Sequence, residues 1–431
     1  MLIEFKFTNY RSFRDEAVLS MEATGLSTFK ECLQNYGNTR ILPGIAIYGK
    51  NGGGKSNVIR AFWLAVQFIR NAQRTQHENS NVPVYPFMLN DFSRNEPTSF
   101  EFTYVLNGIK YIYGFSGTKS QIVCEYLYHT PKGQKSIVFE REGQMFKFTE
   151  QKAKRNLISK VVAENQLFFA IACTMNDTDC VSAMQWFREY VLFSRDYSDI
   201  PQQLIEYSND PHMLKTIASY AKDADFGIED VQFDIDSKEV SDLSDLPDLP
   251  ASIETALNNF MQVLAQTSNN SEVQLKTGKV TATSFHIGKT STGKTEQFPL
   301  ELSDESDGTR KLMALAPAIE SALKNGGVLL VDEIERELHP MLVEYIIAKF
   351  QSKSSNPNYA QIIFTTHNTE LMNETLIRKD QIYFVDKKQS DGSSELYTIS
   401  EFSTKTTDNI QKGYLMGKYG AIPNIEIQEV E

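Results

Sequence analysis

Apolar and polar residues alternate along two parts of the N-terminal third of the chain. The opening stretch "MLIEFKFTNYRSF" places Ile3, Phe5 and Phe7 on one face of an extended chain and polar residues on the other, which is the period of a half-buried strand. Residues 99–138 repeat this alternation with aromatic side chains, interrupted at "NG" and "PKG". Because such sequences form tight turns, this part predicts an antiparallel sheet built of hairpins.

Continuous apolar runs predict a second kind of strand near both ends of the sequence. They read "GIAIY" (residues 44–48), "GGVLLVDEIE", "YAQIIFTTH" and "DQIYFVDKK", and helical patterns such as "HPMLVEYIIAKFQS" separate the later runs. Strands that are apolar on both faces and alternate with helices are typical of a parallel sheet. Residues 150–230 follow a mostly helical period instead, for example in "AMQWFREYVLF".

These patterns predict an α/β fold in which the first and last thirds of the chain form one layer that is split by an insertion. We place the N-terminal part at residues 1–120, the insertion of β-hairpins and then helices at 121–300, and the C-terminal part at 301–431. Within the insertion, the acidic and proline-punctuated run "DIDSKEVSDLSDLPDLP" is expected to be a solvated connection.

Composition narrows the class of protein. The 431 residues carry a formal net charge of −12, which argues against a chain coated in positive charge but leaves room for a local basic groove. The four cysteines, Cys32, Cys124, Cys173 and Cys180, form no C-x-x-C pair, so neither a disulfide framework nor a zinc site is indicated. No apolar run reaches membrane-spanning length, and no cleavable signal is recognisable. We therefore expect a cytoplasmic protein that does not contact a membrane.

The stretch "YGKNGGGKSNVIRAFW" (residues 48–63) places a glycine-rich loop between an apolar strand and a helical pattern. Glycines let successive backbone N–H groups turn inward around an anion, and the helix N-terminus behind them favours phosphate. The loop matches G-x-x-x-x-G-K-[ST] in full, in which the lysine contacts the outer phosphates and the serine hydroxyl reaches a magnesium ion. The predicted nucleotide-binding residues are Gly49, Asn51, Gly52, Gly53, Gly54, Lys55, Ser56 and Asn57, and Ser56 is also a predicted magnesium ligand.

Two further strand ends carry candidate catalytic residues. "VLLVDEIE" ends its apolar run at Asp332 and Glu333, so we expect Asp332 to reach the magnesium ion and Glu333 to orient the attacking water. "QIIFTTHNTELM" leads to His367, which is predicted to hydrogen-bond the outermost phosphate or the water beside it. The order glycine loop, "DE" and "TTH" favours these roles over ordinary polar residues at strand ends.

A fourth feature, "LSDESDGTRKLMALAPAIESAL", opens an amphipathic helix at its "SDGT" turn, residues 306–309. This turn is predicted to cap the helix and to offer a second N-terminus at which phosphate could bind. Leu312, Leu315 and Ile319 recur at helical spacing and are expected on the buried side.

In order, "GKNGGGKS", "SDGT", "LLVDE", "ELHP" and "TTH" resemble the Walker A, signature, Walker B, D-loop and H-loop motifs of ABC-type ATPase heads, as in the SMC, Rad50 and RecF proteins. The chain is more closely similar to the AAA-type ATP-binding proteins of the abortive-infection AbiLi and RloA-like group of bacterial phage-defence loci. The similarity lies in these motifs, in the stretch "NEPTSFEFTY" and in the length of the chain. The resemblance covers the two outer parts of the chain. It implies a P-loop ATPase head with ATP and Mg²⁺ as cofactors.

The resemblance further implies that ATP lies between two copies of the chain, in a homodimer or a larger even-numbered oligomer. The opening strand is similar to one from which an arginine, here Arg11, approaches the nucleotide. The sequence departs from the common "LSGGQ" signature by having Asp307 where the first glycine stands. A carboxylate near the outermost phosphate costs Coulomb energy, so we expect Asp307 to face outward or the closed dimer to be weak. The signature residues expected to act across the dimer are Ser306, Gly308 and Thr309.

For function, the resemblance implies an ATP-driven switch subunit of an antiviral defence system. The stretch from His367 to Glu431 is short for an appended nuclease domain, so a separate nuclease-like or toxin-like effector is the expected partner. The segment between Ser56 and Ser306 is too long for a transporter's nucleotide-binding subunit and too short for the long coiled coil of SMC or Rad50.

A DNA-binding repair ATPase similar to RecF is the alternative, with DNA or RNA as its partner. Its support is a pair of basic clusters, for which solvated faces are the plainer interpretation. The clusters are Lys152, Lys154, Arg155 and Lys160, and then Lys276, Lys279, Lys289 and Lys294.

A third candidate is an assembly scaffold that binds ATP and barely hydrolyses it, against which the presence of Glu333 argues mildly.

Overall fold

The computed structural model describes residues 1–75, 80–131, 133–225, 227–240, 275–403 and 408–422. The chain folds into two compact units. Residues 1–194 together with 318–431 form the first unit, and residues 195–317 form the second. Segments from both ends of the chain therefore share the first unit.

Strands and helices are numbered along the chain. The strands are β1 (Leu2–Thr8), β2 (Ala17–Ser20), β3 (Gln34–Tyr36), β4 (Thr39–Ile41), β5 (Gly44–Tyr48), β6 (Thr98–Leu106), β7 (Ile109–Gly117), β8 (Ile122–Thr130), β9 (Ser136–Glu142), β10 (Met145–Phe148), β11 (Val191–Phe193), β12 (Ile228–Val240), β13 (Leu275–Lys289), β14 (Thr295–Glu301), β15 (Val328–Val331), β16 (Gln361–Thr365), β17 (Ile382–Lys387) and β18 (Ser394–Thr398). The described α-helices are α1 (Lys55–Thr75), α2 (Lys152–Ser159), α3 (Phe168–Thr174), α4 (Thr178–Gln185), α5 (Ile200–Glu206), α6 (Pro211–Ala224), α7 (Asp307–Asn325), α8 (Pro340–Gln351) and α9 (Ile410–Leu415).

A seven-stranded antiparallel sheet forms one layer of the first unit, in the order β10-β9-β8-β7-β6-β1-β2. The alternation predicted for the N-terminus is present, because Ile3, Phe5 and Phe7 of β1 are all buried. The predicted hairpins are also present, since β6 to β9 pair with one another in chain order. This layer is the antiparallel β subdomain that the sequence predicts.

A six-stranded sheet forms the second layer, in the order β11-β15-β16-β5-β17-β18. Every neighbouring pair is parallel except β17 with β18. All five residues of β5 are buried, as expected for a central strand covered on both faces. Because β15, β16 and β5 are parallel neighbours, their carboxyl ends lie side by side at one edge of the sheet.

Helix α1 packs against both sheets of the first unit. The ring of Phe62 lies 4.7 Å from that of Phe5 and 5.1 Å from that of Phe102, measured between centroids, and both partners belong to the antiparallel sheet. The helix also contacts β16 of the parallel sheet. Aromatic pairs of this kind add roughly 0.5–1.5 kcal/mol each beyond their buried area. The start of α1 is thereby held next to the strand ends described above.

The second unit contains a three-stranded antiparallel sheet in the order β12-β13-β14. Helix α6 packs on β12, and α5 packs on β13. Helix α7 begins in this unit and ends in the first one.

The predicted α/β architecture is confirmed, and the structure corrects two local interpretations in part. The run "AMQWFREYVLF" ends its helical part at Tyr190, because Val191–Phe193 pairs with β15 as an edge strand. The acidic run beginning at Asp234 starts inside β12, and its residues 241–250 lie outside the described residues. The predicted insertion at 121–300 spans parts of both units, since β8 to β10 extend the antiparallel sheet.

Among the described residues, no helix combines the length and the apolar character needed to cross a membrane.

Candidate nucleotide-binding site

The glycine loop follows β5 at the sheet edge and is pressed against neighbouring backbone. Gly49 has φ of 156°, and a Cβ there would lie 2.3 Å from the carbonyl oxygen of Val385. Gly54 has φ of 117°, and a Cβ there would lie 2.7 Å from the hydroxyl of Ser394 and 2.8 Å from that of Ser12. Any side chain at either position would therefore displace the loop.

Two serines distant in sequence fasten the loop. The Ser394 hydroxyl donates to the carbonyl oxygen of Gly53 at 2.6 Å, and the backbone N–H of Ser394 donates to the carbonyl oxygen of Ser12 at 2.7 Å. Asn57, predicted here as a nucleotide-binding residue, donates its amide to the Ser12 hydroxyl at 2.8 Å. Sequence reasoning missed Ser12 and Ser394, because neither belongs to a recognisable motif.

Lys55 folds over the loop that precedes it. Its ammonium donates to the carbonyl oxygen of Gly49 at 2.8 Å and to that of Lys50 at 3.4 Å, and the residue is only 6% exposed. Burial lowers the pKa of Lys55, and the nearby carboxylates of Glu335, Glu333 and Asp332 partly oppose that shift. A buried cation is thus held where the outer phosphates of a nucleotide are expected.

The two lysines of the loop are held differently. The ammonium of Lys50 points to Asp386, 2.8 Å away, and lies 3.3 Å from the carbonyl oxygen of Lys387. Lys50 therefore ties the loop to β17, and Lys55 remains the lysine suited to phosphate.

The acidic turn after β15 is organised by β16. The Thr365 hydroxyl donates to Oδ1 of Asp332 at 2.6 Å and accepts the backbone N–H of Glu333 at 2.7 Å. Glu333 has φ of 49°, a left-handed conformation that is uncommon for a residue with a side chain. Such strain persists where the surroundings over-determine the backbone, as the two hydrogen bonds of Thr365 do here.

His367 lies at the end of the segment that follows β16. Its backbone N–H donates to Oε1 of Glu335, while Oε2 of Glu335 is buried and has no hydrogen-bond partner among the described residues. Burial lowers the pKa of His367, and the positive charge of Lys55 lowers it further. Both effects favour the neutral imidazole. Glu335 is a further candidate site residue that the "DE" motif alone does not reveal.

One cavity of about 220 Å³ collects most of the predicted residues. It also includes Arg60 of α1, which the sequence did not single out, and it does not include Arg11. The guanidinium of Arg11 lies instead over the ring of Tyr85, 5.1 Å from its centroid, and its Nε donates to the Tyr10 hydroxyl at 3.2 Å. The cavity is lined by Lys50, Asn51, Gly52, Gly54, Lys55, Ser56, Asn57, Arg60, Glu333 and His367.

The "SDGT" turn forms the helix cap that the sequence predicts. The Ser306 hydroxyl accepts the backbone N–H of Thr309 at 3.1 Å, at the start of α7. Asp307 forms an ion pair with Arg310 within the same turn, and its side chain is 55% exposed. The negative charge of Asp307 is therefore partly neutralised. Gly308 lies in the first turn of the helix, between these residues.

The first basic cluster is not a continuous positive surface. Arg155 is fully buried and pairs with Asp177 at 2.8 Å and with Asp179 at 2.6 Å. Lys154 donates to the carbonyl oxygen of Asn176 at 2.7 Å. In the second cluster, Lys294 pairs with Glu296. The DNA-binding alternative thereby loses Arg155 as a phosphate contact.

One stretch of the chain is similar in sequence to an ATPase from a retron. The chain is 32% identical over 82 residues to a protein of Vibrio cholerae serotype O1 biovar El Tor named "Retron Vc95 probable ATPase". That match covers 19% of this chain and only 15% of the length of the relative.

Solved structures resemble the chain over most of its length but weakly. An SmcHead bound to the C-winged helix domain of ScpA is 12% identical, with 93% of this chain and 98% of that chain covered and a TM-score of 0.42. The recombination mediator protein RecF with ATP is also 12% identical, with 92% and 97% covered and a TM-score of 0.35. These scores are low, and the fold is defined by the chain's own two sheets and the helix between them.

A family profile matches residues 45–373, which is well over half of the chain. The matched region contains the glycine loop, the acidic turn at Asp332 and Glu333, and His367. The chain therefore belongs to the ATPase family described as "AAA domain, putative AbiEii toxin, Type IV TA system".

Proposed function

We propose that this protein binds and hydrolyses ATP as the switch subunit of a bacterial antiviral defence system related to the abortive-infection AbiLi and RloA-like group. The observation that carries the ATPase part is the single cavity bordered by Lys55, Ser56, Glu333 and His367. The toxin–antitoxin description of the family and the retron ATPase relative support the defence part. A separate nuclease-like or toxin-like protein would carry out the effector chemistry.

The residues at the cavity fit a magnesium-bound triphosphate. Lys55 has three donor protons, and its ammonium donates to two carbonyl oxygens of the loop, those of Gly49 and Lys50. Phosphate oxygens would be additional or replacement acceptors for this ammonium. Ser56 lines the cavity, and Asp332 directly precedes the cavity residue Glu333 without lining the cavity itself. Both side chains carry the hard oxygen ligands that magnesium prefers, and magnesium commonly takes one or two carboxylates together with phosphate oxygens. Once bound, magnesium neutralises charge on the phosphate oxygens.

Glu333 is the residue that we assign as general base. Glu333 lines the cavity, and its backbone is held by Thr365 in the conformation described above. A glutamine at this position would keep the shape of the side chain while losing the ability to accept a proton. His367, whose lowered pKa favours the neutral imidazole, would donate or accept a hydrogen bond beside the outermost phosphate.

Hydrolysis is proposed to require a second copy of the chain, whose Ser306, Gly308 and Thr309 would close over the nucleotide. The capped N-terminus of α7 carries the partial positive charge that favours phosphate. The ion pair with Arg310 reduces the repulsion that Asp307 would otherwise add. Turnover is expected to be slow, because each site is complete only while the two copies are joined.

The test is the solution mass of Glu333→Gln protein with and without ATP and magnesium, measured by light scattering on a sizing column. We expect a shift from monomer to dimer, or to a larger even-numbered assembly, only when both are present. Lys55→Ala in the same background is the control that should remain unshifted, because it removes the phosphate-binding cation. An unchanged mass for Glu333→Gln with ATP demonstrably bound would contradict the proposed dimer.

The alternative, a DNA-binding repair ATPase, retains the exposed Lys152, Lys160 and Lys289 as candidate phosphate contacts. It predicts DNA binding that becomes tighter with ATP and falls steeply with salt. Binding assays with Glu333→Gln protein at two salt concentrations distinguish it from the defence switch, which requires a protein partner.

A further inference from the structure

A buried carboxylate lies immediately before the signature turn, in the second unit. Glu305 is 7% exposed, and its Oε1 accepts hydrogen bonds from Nε2 of His286 at 2.7 Å and from the hydroxyl of Ser284. Both donors belong to β13 and stand two residues apart, so they project from the same face of the strand. None of these three residues belongs to a motif recognised in the sequence.

The imidazole of His286 is confined on its other side as well. A Cβ on Gly227 would lie 3.2 Å from Nδ1 of His286, so the glycine just before β12 leaves room for the ring, and His286 itself pairs with Ile228 of β12. The hydroxyl oxygen of Ser284 also lies 3.3 Å from the carbonyl oxygen of Leu300 on β14. The cluster therefore contacts all three strands of the sheet, and a buried carboxylate is tolerated because it is hydrogen-bonded.

The same chain segment continues directly into the signature turn. The backbone N–H of Glu305 donates to the carbonyl oxygen of Leu302, and the next residue, Ser306, caps α7 through Thr309. The side chain of Glu305 is thus fixed to the sheet, and the side chain of Ser306, the next residue, caps the N-terminus of α7. A change in the position of β13 must move Ser306 unless these hydrogen bonds break.

We propose that Glu305 is a positioning residue through which β13, by way of Ser284 and His286, sets the geometry of the Ser306–Thr309 turn for ATP-dependent dimer closure. This inference rests on the proposed function, since it assigns the signature turn to the partner's nucleotide. It implies that a partner protein acting on the three-stranded sheet would alter dimer closure without touching the cavity at Lys55.

The experiment compares Glu305→Ala and Glu305→Gln in the Glu333→Gln background. Two quantities are measured, namely the ATP-dependent mass shift as a function of protein concentration and the affinity for ATP at a concentration where the protein is monomeric. We expect Glu305→Ala to weaken association at least about tenfold, as loss of hydrogen bonds to a charged group implies, with nucleotide affinity nearly unchanged. Glu305→Gln keeps an acceptor oxygen for both donors and should restore most of the association.

Glu296→Ala is the matched control, because Glu296 forms an exposed ion pair with Lys294 on the same sheet. Should Glu305→Ala fail to fold, as judged by thermal unfolding, Ser284→Ala removes one donor and leaves the carboxylate paired with His286. Association equal to the parent's in the folded variants would overturn the inference. If the Glu333→Gln parent itself does not associate with ATP, the proposed dimer fails instead.

Discussion

The hydroxyl of Thr365 lies 2.6 Å from Oδ1 of Asp332 and also accepts the backbone N–H of Glu333 at 2.7 Å. One side chain on β16 therefore positions both acidic residues that follow β15. Since Thr365 is fully buried, water has no access to replace these hydrogen bonds. The proposed magnesium ligand and the proposed general base are thus set by a residue outside their own motif.

Replacing Thr365 by valine should slow ATP turnover about thirtyfold, because valine keeps the shape but neither hydrogen bond, and the two together are worth roughly 2 kcal/mol. Thr365→Ser keeps the hydroxyl and should retain most activity. Steady-state phosphate release at saturating ATP is the measurement. Equal rates for the valine variant and the unmodified protein would contradict this role.

Glu335 should act on His367 through a hydrogen bond as well as through charge. Glu335→Gln keeps an oxygen that accepts the backbone N–H of His367, whereas Glu335→Ala removes it. We expect phosphate release to fall further in the alanine variant, by about tenfold relative to glutamine. A glutamine variant as impaired as alanine would indicate that the negative charge near Lys55 is what matters.

Arg60 rather than Arg11 is expected to contribute to nucleotide affinity. Arg60 lines the cavity, whereas the guanidinium of Arg11 is placed on the ring of Tyr85. Arg60→Ala should therefore weaken ATP binding more than Arg11→Ala does, as measured by titration calorimetry. The reverse order would restore the nucleotide contact that the family resemblance implies for Arg11.

The pKa of His367 should lie below 6.5, because burial and the charge of Lys55 both disfavour its protonation. Lys55→Met removes that charge and should raise the midpoint of the His367 ring signal in an NMR pH titration. Lys50→Met, which breaks the pair with Asp386, is the control with the smaller expected effect. A midpoint that does not rise in Lys55→Met would refute the electrostatic coupling.

The lowered pKa of His367 also affects the free energy of unfolding. Because the folded protein binds this proton more weakly than the unfolded chain, His367 contributes stability above pH 6.5 that is lost as the pH falls below that value. Denaturant unfolding of His367→Gln should accordingly show a weaker loss of stability between pH 6.5 and lower pH than the unmodified protein shows.

Arg155 should matter for stability rather than for binding nucleic acid. Burial alone would raise the pKa of Asp177, but hydrogen bonds from Arg155 and from the backbone N–H of Cys180 hold it below its usual value. Arg155→Met leaves a buried carboxylate unpaired and should cost about 3–5 kcal/mol. Lys147→Met, at an exposed ion pair with Glu140, should cost under about 1 kcal/mol. Denaturant unfolding followed by the fluorescence of the buried Trp186 provides the comparison.

The predictions that succeeded from sequence depend on contiguous residues. The glycine loop, the strand before it and the helix after it follow from side-chain periodicity and from the backbone freedom of Gly49 and Gly54. The acidic turn is likewise recognisable because it directly follows an apolar run that only a buried strand satisfies. These features depend on residues that are neighbours in the sequence, so they can be predicted without knowing how the strands are ordered in the sheet.

The sequence by itself determined the glycine loop, the two types of sheet and the helix cap at Ser306. Tertiary structure alone decided that Ser12 and Ser394 clamp the loop, that Thr365 holds Asp332, and that Arg155 is buried. The physical reason is that these contacts join residues far apart in the chain. They depend on the order in which strands pair, which hydrophobic periodicity does not encode.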